Sequence, residues 1–374
     1  MSDEQTRRDI LNAHGANQAS AKELLAYNTP RFPQRQIEHP VFPLNDEPFA
    51  TTWREYAATA ETEGLVPTLR EKLPQFNFPI ETGISNSTAY LNATRRGKPA
   101  GRDTPLIFEA PEDLELIIQP TPVGHIPVLI AATRADFVTL VQALNARNEP
   151  IEVPDSMGAS TVKGFNNWDR VNSYKADWQA QNPGKPWQKY FPEFAKQGDL
   201  YQDKFMILSR GAYSDVAGHH FGYNDTQWHD LSLSIRLEHE CAHYFMLRVF
   251  GSMANNLFDE IIADYAGIRL ATQDSYKADW FLAFMGLEDY PQYRPGGRLQ
   301  NYAKGLSVDV TRVLHSLLVA AARNLEKFSQ GYQSADTLAD ELLILCELTV
   351  EQFAANDAAA SMRRSLHLRL SGTT

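Results

Sequence analysis

The chain has 374 residues, 43% of them hydrophobic and 11% aromatic, with a formal net charge of −11. This composition is enough for a core spread over two or three lobes and excludes wholesale disorder. The acidic balance, with no long basic stripe, excludes a nucleic-acid partner held by phosphate contacts.

The longest apolar runs, residues 126–132 and 317–322, are too short to span a bilayer, so no membrane partner is expected. The N-terminus is polar and acidic and lacks the pattern of a secretion signal. Two cysteines, Cys241 and Cys346, make no disulfide framework and read as buried small hydrophobes in a reducing compartment. A cytoplasmic location is expected.

In chain order, residues 2–27 read as one helix. Ser2 and Gln5 form a capping-box pattern, and Ile10, Leu11, Leu24 and Leu25 supply apolar faces. Residues 29–48 hold Pro30, Pro33, Pro40, Pro43 and Pro48 and form an extended connector. A second helical pattern covers residues 51–73, interrupted at Gly64 and Pro67. Residues 1–75 are therefore expected to form an N-terminal helical wrap with a Pro-rich connector.

Residues 76–230 alternate strands, turns and helices, the pattern of an α+β lobe. Strand candidates are 106–108, 114–119, 126–132 and 204–209, and 135–147 is a helix candidate. The polar stretch 154–173 either lines a cleft or is explained by Asn167 capping a helix that starts at Trp168; the cap is favoured. His219, His220 and His229 fall within eleven residues and raise a second metal site, although a solvated histidine pair in a Gly-flanked loop explains them better. Residues 231–374 read as a helical lobe.

That lobe carries Leu237-Glu238-His239-Glu240-Cys241-Ala242-His243, a His-Glu-x-x-His pattern inside a run from 232 to 250 free of Gly and Pro. Ser232 or Asp230 can cap the run, and Gly251 ends it. On a helix His239 and His243 project from one face and can supply half of a tetrahedral zinc shell. Glu240 stands where a general base belongs. A third histidine at the usual distance is missing, since Val249 stands there. A second helix, residues 257–271, can be capped by Asn255 or Asn256 and offers Glu260 and Asp264 on one face. Glu260 can complete the shell, and Asp264 can accept the free ring N–H of a ligating histidine.

His239-Glu240-x-x-His243 followed by Glu260-x-x-x-Asp264 resembles the gluzincin clan of zinc metallopeptidases. The resemblance covers about 35 residues. It implies His239, His243 and Glu260 as Zn2+ ligands, Glu240 as general base and Asp264 as the orienter of His239. Asp259 stands where many gluzincins carry Asn, and no exopeptidase signature precedes the helix. The resemblance further implies a downstream Tyr or His that stabilises the oxyanion; His315 and Tyr302 are the candidates, with Tyr265 a rival. It also implies an edge strand that binds extended substrate, for which residues 204–209 are the candidate.

The expectation is an α+β protein with a small mixed-sheet lobe and a helical lobe. The metal site would lie on two helices where the lobes meet. The expected activity is zinc-dependent hydrolysis of a peptide or protein substrate. The alternatives are a non-catalytic binding protein of the same fold and a metallohydrolase of non-peptide amides or esters. Oligomeric state is not legible.

Overall fold

The computed structural model describes residues 3–29, 32, 37, 40–99, 104–253, 256–272, 276–330 and 337–372. Ser2, Pro30, Pro33 and Asn255, named above, lie outside them. The protein is α+β. The chain divides into a helical unit, Met1–Phe42 with Ala212–Thr374, and a sheet unit, Pro43–Gly211.

The chain opens with α1 (Asp3–Ala13) and α2 (Gln18–Tyr27). The single helix expected here is two, because Gly15 takes a left-handed φ of +88° and Asn17 caps a new start with its side chain. The buried Arg7 guanidinium pairs with Glu351 at 3.2 Å, and Asn28 donates to the same carboxylate at 3.0 Å. These contacts tie the two helices to the C-terminal part of the chain. The expected wrap of 1–75 is therefore divided at Phe42, and the expected boundary at 230 lies at Gly211.

The sheet unit begins with α3 (Phe49–Glu63) and α4 (Leu65–Lys72), separated at Gly64 as expected; Pro67 is accommodated in the first turn of α4. Then follow α5 (Thr88–Arg96), β1 (Glu115–Gln119), β2 (Ile126–Ala131), α6 (Arg134–Leu144), β3 (Ala159–Asn166), α7 (Trp168–Gln181), α8 (Trp187–Phe194) and β4 (Gln202–Ser209). The strand order is β1-β2-β4-β3, with β2 and β4 parallel and the other two pairings antiparallel. Trp53, Tyr56, Leu69, Phe137, Leu140 and Phe205 form its core. Asn167 is the cap of α7, accepting from the backbone of Asp169 and Arg170.

One expectation fails here. β4 is hydrogen-bonded to β2 on one side and β3 on the other, so it has no free edge to which a substrate strand can add.

The helical unit resumes with α9 (Asp225–Phe250) and α10 (Leu257–Ala271), then α11 (Ala278–Met285), α12 (Val308–Ser329), α13 (Leu338–Cys346), α14 (Val350–Ala354) and α15 (Ala358–Leu370). α12 buries Val310, Val313, Leu314, Leu317, Leu318, Ala321 and Leu325, the three-four spacing of one helical face. No helix among the described residues is long and apolar enough to cross a membrane.

Candidate metal centre

Both helices of the site belong to the helical unit. α9 starts earlier than expected. Asn224 caps it in a reciprocal pair with Gln227, and Gly251 closes it in the left-handed region. Ser232 and Asp230, the two expected caps, both lie inside the helix; Ser232 is buried, and its hydroxyl accepts from the backbone N–H of Tyr213 at 3.0 Å. α10 is capped by Asn256, which accepts from the backbone of Phe258 and Asp259. Every residue of α10 from Leu257 to Arg269 is buried, polar ones included.

The two helices bring His239, His243 and Glu260 together, with relative exposures of 6%, 3% and 7%. The Nε2 atoms of the two histidines stand 3.1 Å apart. Glu260 reaches both, at 3.6 Å from His239 Nε2 and 3.5 Å from His243 Nε2. Donors about 2.0–2.1 Å from a tetrahedral zinc ion stand about 3.3 Å from one another. The observed separations bracket that edge, so the residues fit a zinc ion in donor type and in spacing. This trio is the one group of potential metal-binding side chains found among the described residues. His219, His220 and His229 are exposed and form no such group; the rings of the first two stack at 4.5 Å.

Behind His239 lies a second layer. Its Nδ1 is 2.9 Å from Asp264 Oδ1, as the resemblance implied. Two further residues join it that the motif did not reveal. The Tyr213 hydroxyl donates to Asp264 Oδ1 at 2.7 Å and stands 2.8 Å from His239 Nδ1. Arg298 donates to Asp264 Oδ2, and its NH1 donates to the Tyr213 oxygen at 3.1 Å and to Ser214 Oγ at 3.2 Å. Ionised Asp264 can only accept. The proton on His239 therefore belongs on Nδ1, which leaves the Nε2 lone pair facing His243 and Glu260. By contrast, His243 Nδ1 is buried with no hydrogen-bond partner among the described residues. Tyr213 lacked a signal because it sits in an irregular turn 26 residues before His239; Arg298 lies in a Pro/Gly-rich loop where no periodicity points inward.

Burial opposes ionisation of Glu260, but its hydrogen bond to His243 and the positive charges of both histidines and Arg298 hold it well below the usual carboxylate range. Burial likewise opposes Asp264, but the charge of Arg298 together with the hydrogen bond and charge of His239 outweighs it and lowers that carboxyl too. Burial disfavours a charged His243, yet Glu260 beside it lifts the imidazole to about 9 when no metal competes. Burial, then Asp264, pushes the Tyr213 phenol well above its ordinary value, so it remains a donor.

Glu240, the expected general base, follows His239 on α9 and is half-buried. Tyr302 stands against Glu260: burial, and then that carboxylate working against Arg298, raises its phenol. His315 is placed elsewhere, on α12 with its ring 5.4 Å from that of Tyr293, and no hydrogen bond or ion pair among the described residues joins it to the cluster. The rival Tyr265 is fully buried and donates to Glu341 at 2.7 Å. Of the three oxyanion candidates, the structure brings Tyr302 to the site.

A family model described as a family of unknown function, DUF7005, matches residues 9–357, and the chain belongs to that family. No curated protein and no solved structure matches the chain.

Proposed function

We propose that this member of the DUF7005 family is a zinc-dependent hydrolase, a metallopeptidase of gluzincin type. The observation that carries the reading is the convergence of His239 Nε2, His243 Nε2 and Glu260 at tetrahedral-edge spacing, with the tautomer of His239 set from behind. His239, His243 and Glu260 would hold the zinc. A zinc ion with three protein ligands and an open position supplies Lewis acidity and a water acidic near about pH 7.

The remaining work falls to the chain's own groups. Glu240 takes the proton of the attacking water and passes it to the leaving amine. Tyr302, kept protonated, donates to the carbonyl oxygen of the substrate as that oxygen gains charge. Asp264 holds His239 in place. The substrate would be a peptide or protein, and the two free, buried cysteines suit a cytoplasmic setting.

The test is elemental analysis of tag-free protein beside His239→Ala, followed by exposure of the wild type to a peptide library. About one zinc per chain that the variant loses, together with cleavage, is the expected result. No metal in either protein after zinc is offered would sink the proposal. Zinc without hydrolysis of any peptide, amide or ester would leave a metal-binding module in place of an enzyme.

A further inference from the structure

We infer that Tyr213 and Arg298 are positioning residues that set the zinc affinity of His239 through Asp264, and that the loop between α11 and α12 exists to deliver Arg298 to that carboxylate. The inference rests on the metal-site reading and adds to it two residues outside the ligand motif.

Asp264 is wholly buried and receives three donors: the ring N–H of His239, the Tyr213 hydroxyl and the Arg298 guanidinium. Any one donor alone would leave the carboxylate free to rotate. Together they occupy both oxygens and fix the plane in which His239 is gripped. Tyr213 also touches His239 Nδ1 directly, so it braces the imidazole as well as its acceptor.

Arg298 is not available to a substrate. Its two terminal nitrogens are engaged by Tyr213, Ser214 and Asp264, and its Nε is buried without a partner among the described residues. The side chain is 16% exposed. A guanidinium spent in this way orients; it does not bind.

Both arms are held firmly. On one side, Arg294 N–H donates to Gly286 O at 2.8 Å and its side chain donates to Ala283 O at 2.6 Å. Tyr293 donates its hydroxyl to Gly297 O at 2.7 Å and accepts from the backbone of Gln300 at 3.2 Å. Gly297 lies so close to the end of α11 that a Cβ would stand 2.6 Å from Met285 O. These bonds fix the chain on either side of Arg298. On the other side, Ser214 and Asp215 follow Tyr213 with left-handed φ values of 52° and 56°, an unfavourable backbone for residues with side chains. The Tyr213 ring rests edge-on against Phe284 at 4.8 Å. Two unrelated loops thus converge on one carboxylate.

The experiment measures zinc affinity by chelator competition for the full-length wild type, Tyr213→Phe, Arg298→Met, Arg298→Lys and Tyr265→Phe, with the visible spectrum of each cobalt(II)-loaded protein as a second readout. Tyr213→Phe keeps the ring on Phe284 and removes only the hydroxyl. It and Arg298→Met are expected to bind zinc about 10–100-fold more weakly and to shift the cobalt bands, the loss typical of a removed support to a ligand. Arg298→Lys should recover part of that loss. Tyr265→Phe, which cuts a buried hydrogen bond one residue beyond Asp264 without touching the cluster, should keep wild-type affinity. If Arg298→Met fails to fold, Tyr213→Phe still decides. Zinc bound by the wild type and equally well by Tyr213→Phe overturns the inference and leaves the metal site standing. Zinc bound by none of the proteins overturns both.

Discussion

Gly267 of α10 lies directly against Ile235 of α9: a Cβ on the glycine would stand 2.6 Å from the Ile235 carbonyl oxygen and 3.3 Å from His239 Cβ. This close approach of the two helices falls beside His239. The obstacle is backbone, which cannot swing aside as a flexible side-chain end would. Gly267→Ala is expected to force the helices apart at a cost of about 1–3 kcal/mol, the range for an overpacked core. The variant should unfold at lower urea and bind zinc more weakly. An unchanged midpoint with unchanged affinity would show that the spacing does not matter.

Glu240→Gln preserves size and shape but cannot take a proton. Zinc content should stay at about one per chain, while turnover of any substrate found should fall by at least about 10²–10⁴-fold, the usual contribution of a general base. Wild-type turnover in this variant would remove Glu240 from the mechanism.

Tyr302 and His315 can be separated by experiment, as they are in the structure. Tyr302→Phe should lower kcat by about 10²–10³-fold with zinc content retained, as loss of an oxyanion donor does elsewhere. His315→Ala should leave kcat within a small factor of wild type, because its ring contact is with Tyr293. The opposite pattern would reassign the donor.

The sheet unit makes a separate prediction about stability. Asp203 is wholly buried and accepts from Arg170 at 2.5 Å, Asn167 at 2.7 Å and the Trp53 indole at 2.9 Å. Asp203→Ala strands a buried guanidinium and should cost about 3–5 kcal/mol. Urea denaturation measures the loss. Zinc content should not change, since no member of this network belongs to the cluster.

The clustering of the proposed ligands could be read from the sequence because helical spacing fixes which side chains share a face. His239 and His243 follow from a single period, as do Glu260 and Asp264. What periodicity cannot report is the partner across space. Tyr213 and Arg298 reach Asp264 from irregular segments, and their role depends on loop paths that no local pattern encodes. β3 was hidden for a different reason. Ser160 and Val162 are buried alternately, but the register shifts between Lys163 and Phe165, where Gly164 takes a φ of +70°, so the inward face resumes at Phe165 out of phase. β4 was visible as an apolar strand but not as a central one, because an apolar run records burial and not the number of neighbours.

The buried pair of Arg7 with Glu351 joins residues 344 positions apart, and the whole sheet unit is spliced between them. During synthesis at about 5–20 residues per second, α1 and α2 emerge roughly 20–70 s before the carboxylate that will neutralise Arg7. The sheet unit, contiguous in sequence, can complete its own pairing within that interval. The two N-terminal helices must wait with their apolar faces uncovered. A nascent chain released before α14 leaves the Arg7 guanidinium without the carboxylate that neutralises it.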